Sequence, residues 1–366
     1  MPPLSDILIL DFSTLVPGPL ATLFLAEAGA RVIKIERPPT GDEMRLYEPS
    51  VQGESVNFGM LNRGKSSLSI NMKEADALDR LRPLLKEADV IIEQFRPGVM
   101  ARLGLAYEDV RALNPDIIYC SINGWGNTGP KAAAAGHDLN YMAETGVLGL
   151  SVDGTGAPVL PPLLAADIAG GAYPAMINIL LALRRRDRTG DGCQIEVAMG
   201  QNLFPFLYWA LGNAHALDRW PVPGGETITG GTPRYQIYRT RDDRYMAAAP
   251  LEDRFWANFA KVLGLPPELA DDRRDPKATR DAVAQIIARK DAAEWMRAFE
   301  GIDVCCSIVL TLQEALQDPH WAARGVFSQS LSLGGKTVPA LPSIIAPALR
   351  SPDITAQAPQ LDSMKP

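Results

Sequence analysis

The sequence predicts a mixed α/β protein in which a doubly wound parallel sheet forms a large domain and a smaller α+β domain follows it. Three observations lead to this prediction. The chain has 366 residues, and at roughly 150 residues per domain this length corresponds to about two domains. Residues 1–125 alternate short apolar runs with helical patterns. A Pro- and Gly-rich stretch over 221–233 then precedes a region in which helical patterns dominate.

The apolar runs of the N-terminal region are the expected strands of the sheet. Several of them are apolar at every position, which is typical of parallel strands buried on both faces. The expected strands cover residues 7–10, 32–35, 68–70, 90–92 and 117–119.

Helical patterns lie between these strands. The first helix is expected to begin around Pro17 and to end near Gly29, because proline is tolerated in a first turn and glycine often ends a helix. A second helix is expected over 75–87, where Pro83 predicts a kink. Strands that alternate with helices favour right-handed crossovers, and hence a Rossmann-like, doubly wound parallel sheet.

A dinucleotide is not the expected ligand of this sheet. Ligands of doubly wound sheets bind at the carboxyl ends of the strands, where a dinucleotide requires a G-x-G-x-x-G turn after the first strand. The segment at 11–19 reads DFSTLVPGP and lacks that motif. The sequence also has no GxxxxGK[ST] phosphate loop. Both absences argue against a nicotinamide-dependent enzyme.

The rest of the chain predicts a domain boundary. A long apolar helix is expected over 163–186, with Asp167 near its start and two glycines, Gly170 and Gly171, that permit a close approach to its first turns. A strand at 194–197 and a hairpin of 235–238 with 245–248 follow, and helical patterns dominate 252–316. We therefore expect a large domain over 1–200, a linker over 201–232, a small domain over 233–325 and a C-terminal segment over 326–366 that returns to the large domain.

Charge and hydropathy exclude some classes of partner. The chain has 36 Lys and Arg against 43 Asp and Glu, a net charge of −7, which argues against nucleic acid because its binders carry clustered excess basic residues. No apolar run approaches the roughly 20 residues needed to cross a bilayer, so no membrane partner is expected. The N-terminus MPPLSDILIL lacks a signal-peptide pattern and the C-terminus lacks an SKL-type address. We expect a cytoplasmic location.

Cysteine and histidine usage gives no metal site. The four cysteines show no C-x-x-C spacing, and free thiols that are buried or half-buried are the expected state. Three histidines are too few for a His-rich metal site.

Two residues have the chemistry of an acid–base pair. His137 heads the segment GHDLNY after a glycine-rich loop, and Asp167 lies at another expected helix start. Taken alone, His137 could cap or pack at its helix start, and Asp167 could be an N-cap or first-turn carboxylate. Together they could flank a substrate carbon. Racemisation needs such a pair, since one group removes a proton from one face and the other returns a proton to the opposite face.

An enolate is the intermediate of such a reaction, and its oxygen needs preorganised amide N–H donors. Each donor is worth about 2.7–4 kcal/mol in other enzymes. We expect the positive end of the helix that begins near Asp167 to supply them. Sequence spacing alone does not establish that His137 and Asp167 meet.

A resemblance adds to this interpretation. The distinctive segments of the chain, in order, are LDFSTLVPGPLATLFLAEAGARVIKIERP, LNRGKSSLSINMK, ADVIIEQFRPGVMARLGL, NPDIIYCSINGWGNTGP, AGHDLNY, GGTPRYQIY and DPHWAARGVF. In these segments the chain resembles the family III CoA-transferase superfamily, and within it most closely the α-methylacyl-CoA racemases.

The resemblance implies roles for three residues. Racemases of this family use the His of a GHD-NY motif and a helix-start Asp as their acid–base groups, which correspond here to His137 and Asp167. A Glu in an A-x-x-E-x-x-F-like segment of the small domain pairs with that His, and APLEDRF offers Glu252. A carboxylate partner fixes the imidazole tautomer and supports its charged form.

The resemblance also implies an interlocked homodimer of ring-like subunits. The active site of such a dimer lies between the large domain of one subunit and the small domain of the other. Glu252 would then come from the partner subunit, and a lone monomer would be inactive.

The substrate that the resemblance implies is an acyl-CoA, with coenzyme A as part of the substrate and no separate cofactor. Its phosphates require cations and its adenine requires a flat apolar cleft, although any single basic residue could equally belong to a solvated surface. The residues that the family pattern assigns to coenzyme A are Arg37, Lys65, Ser66, Val90, Ile91, Ile92, Arg96, Arg102, Gly136 and Tyr141.

A CoA-transferase of the same fold is the alternative. Asp167 would then attack the acyl-CoA and form a mixed anhydride followed by an aspartyl-CoA thioester. The His before Asp138, the GGETITGGT stretch at 224–232 and the short chain favour the racemase. Arg234 departs from the racemase pattern, and its charge makes a substrate with a carboxylate on its acyl group a further possibility. A non-catalytic acyl-CoA-binding dimer is a third hypothesis.

Overall fold

The computed structural model describes residues 1–352 and 354–364 of the chain. Its contacts divide it into two compact units. Unit 1 contains residues 1–145, 161–206 and the described residues from 320 onward, and unit 2 contains residues 146–160 and 207–319.

The strands and helices are listed here in chain order. The strands are β1 Leu8–Asp11, β2 Arg31–Glu36, β3 Ser50–Val51, β4 Glu54–Ser55, β5 Ser66–Ser69, β6 Val90–Glu93, β7 Ile118–Asn123, β8 Cys193–Ala198, β9 Gln236–Arg239, β10 Tyr245–Ala248, β11 Cys306–Ile308, β12 Ser330–Leu333 and β13 Lys336–Pro339. The helices are α1 Pro17–Glu27, α2 Val56–Asn62, α3 Ala77–Glu87, α4 Val99–Arg102, α5 Tyr107–Leu113, α6 Asp138–Glu144, α7 Tyr173–Thr189, α8 Tyr208–Leu217, α9 Asp253–Leu263, α10 Pro267–Ala270, α11 Pro276–Ile287, α12 Ala292–Phe299, α13 Leu312–Leu316 and α14 Pro319–Ala323.

The main sheet of unit 1 is parallel throughout, with the strand order β5-β2-β1-β6-β7-β8. Counted in chain order within the sheet, this is the 3-2-1-4-5-6 order of doubly wound sheets. The mixed α/β fold with a parallel sheet is thereby confirmed, and each of the five strands expected in the N-terminal region is present.

The two expected N-terminal helices are also confirmed. Helix α1 has Pro17 in its first turn and is buried along its whole length, because it is covered by the sheet on one side and by other helices on the other. Helix α3 contains Pro83 and buries Leu81 and Leu85, while Arg82 and Lys86 are exposed. Its apolar stripe therefore faces the sheet and its charged face is exposed.

The helix expected over 163–186 starts as a π-helical segment, Ala165–Ala172, and continues as α7. A Cβ atom on Gly170 would lie 2.6 Å from the carbonyl oxygen of Met199, and one on Gly171 would lie 3.0 Å from Cβ of Pro17. The close approach predicted from these two glycines is confirmed. The π-helical segment can pack this tightly only because they have no side chains.

By length and composition, the helix Ala165–Thr189 is apolar enough to cross a membrane. The expectation that no segment qualifies was wrong, because polar residues such as Asn178 interrupt the apolar run without breaking the helix. The buried side chains Ala175, Ile179 and Leu183 lie in a helix that contacts α1, β7 and β8. One face of this helix therefore packs into the core of unit 1, while Ile177 and Leu181 on it remain exposed.

Unit 2 contains a three-stranded antiparallel sheet in the order β11-β10-β9. The hairpin expected at 235–248 is confirmed, with Tyr245 opposite Arg239. Strand β11 lies in the region expected to be helical, and three residues are too few to give a strand periodicity. The core is aromatic, and the ring of Phe299 stacks at 5.8 Å on Phe259 and on Trp295.

The unit boundaries differ from the expected domains in three places. Residues 146–160 cluster with unit 2, and the expected linker 201–232 contains a 3₁₀ helix, Gln201–Leu207, and α8. Residues 320–325, expected in the small domain, belong to unit 1. The C-terminal segment runs along the main sheet, where the Met364 N–H donates to the Ser67 carbonyl at 2.9 Å. Residues 353, 365 and 366 of that segment lie outside the described part.

A cluster of buried charges lies at the carboxyl end of β1. Lys65 Nζ lies 3.2 Å from Asp11 Oδ2, and Lys34 Nζ lies 2.9 Å from Asp42 Oδ2. All four side chains are 0 % exposed. Burial raises the pKa of Asp11, but the charges of Lys34 and Lys65 outweigh burial and bring this pKa down from 3.8 to about 2. The cluster therefore ties the carboxyl ends of β1 and β2 to the start of β5.

We expect Lys65→Met to lower the free energy of unfolding by about 3–5 kcal/mol, the usual cost of removing one partner from a buried ion pair. Lys65 Nζ also donates to the Pro19 carbonyl at 2.9 Å and to Asn62 Oδ1 at 2.8 Å, so these acceptors lose their donor. Urea unfolding measures the change, with the exposed Lys73→Met as control. A loss no larger than that of the control would contradict this interpretation.

Candidate active site

A cavity of about 380 Å³ lies in unit 1 at the carboxyl ends of β1, β6 and β7. Strands β1 and β6 are neighbours at the point where the strand order reverses, which is where doubly wound sheets bind ligands. Leu15 follows β1, Gln94 and Phe95 follow β6, and Trp125 follows β7, and all four line the cavity. Strand order therefore accounts for the position of the cavity.

His137 lies at the N-cap of α6 and lines this cavity. Its backbone is extended, with φ −125° and ψ 174°, and its N–H donates to Asn140 Oδ1 at 3.0 Å. The cap is thus made by the backbone of His137 and the side chain of Asn140. Because the imidazole is exposed, it is open to a ligand in the cavity.

Asp167 lines the same cavity from the first turn of the π-helical segment. Its N–H donates to Oδ1 of the buried Asp138 at 2.9 Å. Since Asp138 directly follows His137, this single bond joins the two segments that carry the predicted acid–base groups. The structure therefore brings His137 and Asp167 together, which sequence spacing alone could not establish.

The pKa of Asp167 is raised from 3.8 to about 6. Burial is the largest cause, the negative charge of Asp138 adds to it, and the charge of His137 opposes both. A carboxyl group with a pKa near neutrality can both release and accept a proton at physiological pH.

Tyr141 fills the space between two glycine backbones of the site. A Cβ on Gly124 would lie 2.4 Å from its ring, and one on Gly136 would lie 2.7 Å away. The phenol donates to the Gly136 carbonyl at 2.6 Å. Burial, and then the charge of Asp167, raise the pKa of Tyr141, so the phenol stays protonated. It fixes the residue that precedes His137.

One of the amides at the helix start near Asp167 is already used. The N–H of Asp167 is donated to Asp138 and cannot serve a substrate oxygen. Among residues 1–352 and 354–364, the N–H groups of Ala165 and Ala166 in the same first turn have no acceptor, and neither do those of Asp138 and Leu139 in the first turn of α6. Both helix starts therefore retain amides for an oxygen.

Three of the residues assigned to coenzyme A, namely Arg96, Gly136 and Tyr141, line the cavity. Arg37 and Arg102 are exposed on the loop after β2 and at the end of α4, and neither lines the cavity. Ser66 begins β5, the edge strand of the sheet, and is half-buried.

Four other residues assigned to coenzyme A are buried in the fold. Lys65 is engaged by Asp11 and cannot meet a phosphate without breaking that pair. The side chains of Val90, Ile91 and Ile92 are 0 % exposed, because β6 is a central strand covered on both faces. These side chains hold the sheet together and do not reach a ligand.

Glu252 and Arg234 lie in unit 2. Glu252 is the exposed N-cap residue of α9. The Arg234 guanidinium donates to Asp272 at 2.7 and 2.9 Å and to Asp253 at 2.6 Å. Two carboxylates of its own unit therefore neutralise Arg234. This pairing explains why the chain has an arginine at this position, where the racemase pattern has an apolar residue. This contradicts the idea that Arg234 is free to bind a substrate carboxylate.

Sequence reasoning missed several cavity-lining residues. Leu15 has a left-handed φ of 61°, which no sequence pattern signals in a leucine. Gln94 Oε1 accepts from the N–H of Gly18 at 3.1 Å, so its carbonyl is taken and its amide group is left for a ligand. Their positions directly after strands at the switch point are the signal that could have found them.

The chain is similar to known proteins along almost its whole length. The family model of CoA-transferase family III matches residues 4–364. The human α-methylacyl-CoA racemase is 35% identical, over 89% of this chain and 83% of its own length. The acetyl-CoA:oxalate CoA-transferase of Acetobacter aceti is 33% identical, over 98% of this chain and 93% of its own length.

Solved structures agree with these relatives. A crystal structure of a CAIB/BAIF family protein from Brucella suis has a TM-score of 0.84 at 29% identity and covers 99% of this chain and 97% of that one. A Mycobacterium tuberculosis crystal structure has a TM-score of 0.85 at 25% identity, over 99% and 98% of the two chains. With a fold shared end to end and a family match over almost its full length, the chain belongs to CoA-transferase family III.

Proposed function

We propose that this protein is a racemase that interconverts the stereoisomers of 2-methylacyl-CoA thioesters by 1,1-proton transfer. The observation that carries the proposal is that His137 and Asp167, two groups able to exchange protons, line one cavity. The resemblance to α-methylacyl-CoA racemases supplies the substrate class, and the human relative of that name is 35% identical.

The reaction needs no group besides the two bases and an oxygen site. One of His137 and Asp167 removes the α-proton, the C–H electrons move into the thioester to form an enolate, and the other group returns a proton to the opposite face. Only the C–H bond of the α-carbon breaks and re-forms, and its other bonds to neighbouring atoms are kept. Free amides in the first turn of α6 or of the π-helical segment would meet the enolate oxygen, where preorganised donors act most strongly.

An apolar acyl group suits the cavity. Its lining includes Ala132, Ala134, Ala135, Pro97 and Met199. Among the described residues of that lining, Arg96 is the only Lys or Arg, and the family pattern assigns it to coenzyme A. The neutralised Arg234 offers no second cation. These features support a methyl-branched hydrocarbon chain over a dicarboxylic group such as the oxalate in the name of the A. aceti relative.

The proposal includes a cytoplasmic homodimer in which Glu252 of the partner subunit pairs with His137. The resemblance is the basis for this pairing. Large apolar side chains exposed on each unit support self-association, because such groups favour burial in an interface. They include Ile177 and Leu181 on α7 of unit 1, and Tyr208 and Trp220 of unit 2.

A CoA-transferase is the second candidate. Its support is the A. aceti relative, which aligns with 98% of this chain at 33% identity. In that reaction Asp167 attacks the thioester carbonyl, the sulfur of coenzyme A leaves, and an acceptor carboxylate completes the exchange. Such a nucleophile works in its ionised form, which a carboxyl group with a pKa of about 6 still adopts at neutral pH. The observation that favours proton transfer is His137, a second group able to carry a proton in the same cavity.

We expect the protein to place deuterium at the α-carbon of a 2-methylacyl-CoA in D₂O without any acceptor acid. His137→Ala should block proton removal from one stereoisomer and Asp167→Asn from the other, each lowering exchange by about 10²–10⁴-fold, the usual contribution of an acid–base group. Mass spectrometry of each separated stereoisomer measures the exchange.

His215→Ala is the control, since that histidine lies on α8 in unit 2. Exchange that depends on an added carboxylic acid, with an acyl group trapped on Asp167 by hydroxylamine, would establish the transferase instead. Tight binding of CoA without either reaction would support the third hypothesis, a non-catalytic acyl-CoA-binding dimer.

The pKa of Asp167 predicts the pH dependence. Asp167 accepts a proton only when ionised, and its ionised fraction rises as the pH increases through about 6. For the stereoisomer that it deprotonates, kcat/KM should therefore fall below a midpoint near pH 6. Asp138→Asn removes a charge that raises this pKa but keeps an oxygen for the Asp167 N–H, so the midpoint should move to lower pH. An unchanged midpoint in the variant would exclude this coupling.

Mixed dimers test the origin of Glu252. His137→Ala and Glu252→Ala dimers should each be nearly inactive toward the stereoisomer that His137 deprotonates. If Glu252 of the partner subunit completes each site, a heterodimer of the two variants has one intact site, and a random mixture should recover about a quarter of the wild-type rate. Subunit exchange followed by the D₂O assay measures the recovery. No recovery would mean that each site uses the Glu252 of its own chain.

A further inference from the structure

The loop after β7 is fastened by a side chain outside the cavity. Glu196, on the edge strand β8, lies opposite Ser121 of β7. Its Oε1 accepts the backbone N–H of Asn127 and the side-chain N–H of Asn123, the latter at 3.3 Å. Asn123 Oδ1 in turn accepts the N–H of Gly126 at 2.5 Å. Three hydrogen bonds thus turn residues 124–127 back over the ends of β7 and β8.

The fastened loop supports the segment that carries His137. It presents the Trp125 ring edge-on to Tyr141, with centroids 4.9 Å apart at 79°. It also places Gly124 where only a residue without Cβ can lie against the Tyr141 ring. Tyr141 then donates to the Gly136 carbonyl at 2.6 Å. A continuous set of contacts therefore runs from Glu196 through Trp125 and Tyr141 to the peptide before His137.

Glu196 itself does not line the cavity and its side chain is exposed. It therefore does not touch the reacting atoms. The fold also has little need of it, because the pairing of β7 with β8 continues past it through backbone bonds, including Met199 N–H to the Asn123 carbonyl at 2.9 Å. What Glu196 adds to this pairing is the anchoring of the loop.

We infer that Glu196 is a positioning residue that holds His137 in register with the substrate carbon through the loop 124–127 and Tyr141. This inference rests on the proposed function for its catalytic consequence. A group displaced by about 1 Å can cost on the order of 100-fold in rate, so loss of the anchor should be visible in kcat. Coenzyme A should bind normally, since the loop that carries Arg96 is held by a different contact, from the Phe95 N–H to Glu93 Oε2 at 2.8 Å.

The test compares Glu196→Ala with Glu196→Gln, which keeps an oxygen to accept the Asn127 N–H. The exposed Glu87→Ala at the end of α3 is the matched control for the loss of charge. Three quantities are measured on the full chain: α-proton exchange kinetics in D₂O, CoA affinity, and hydrogen–deuterium exchange of the Asn127 and His137 amides.

We expect Glu196→Ala to lower kcat by about 10- to 100-fold with KM and CoA affinity close to wild type, and to speed amide exchange at both Asn127 and His137. Glu196→Gln should restore most of kcat and the amide protection. The thermal unfolding midpoint of Glu196→Ala should match that of Glu87→Ala.

The inference is overturned if Asn127 loses protection in Glu196→Ala while the His137 amide and kcat stay at wild-type values. It is also overturned if kcat and CoA affinity fall together with the unfolding midpoint, because the role is then purely structural. Should the wild-type protein show no α-proton exchange, the proposed function fails. The amide exchange at His137 then decides the inference about Glu196 by itself.

Discussion

The hydrogen bond from the Asp167 N–H to Asp138 Oδ1 is the interaction on which the candidate site depends. At 2.9 Å it joins the start of α6 to the π-helical segment before α7, so that His137 and Asp167 line one cavity. The same carboxylate has a second effect, because its charge adds to burial in raising the pKa of Asp167. One side chain therefore joins the two segments of the site and adds to the proton affinity that burial gives Asp167.

The doubly wound sheet could be predicted because its signals are local and redundant. Each strand is a short apolar run, most crossovers begin or end near proline or glycine, and the resulting order places the cavity at the junction of β1 and β6. The elements that escaped prediction lack such a signal. Strand β11 has three residues, and the left-handed conformation of Leu15 depends on a bond to Asp42, distant in sequence.

The cationic residues show where sequence reasoning about the site stops. Lys65 and Arg96 both follow a helix or strand end, and both suit a phosphate by charge alone. The structure buries Lys65 against Asp11 and leaves Arg96 exposed beside the cavity, because only the first has a carboxylate within reach inside the sheet. Arg234 is a similar case, since it forms ion pairs with Asp253 and Asp272. Burial and pairing partners, which depend on tertiary contacts, decide which cations remain for a ligand.

The choice between proton transfer and nucleophilic attack then depends on the surroundings of one carboxyl group. A residue that must give a proton to one stereoisomer and take it from the other works best with a pKa near the operating pH. Burial and Asp138 bring Asp167 toward this condition, although a group with a pKa of about 6 is also ionised at neutral pH, as a nucleophile must be. His137 in the same cavity is a second group able to carry a proton, which a covalent mechanism on Asp167 alone does not require. Relatives at 33% and 35% identity do not separate the two reactions, and these local features favour the isomerase.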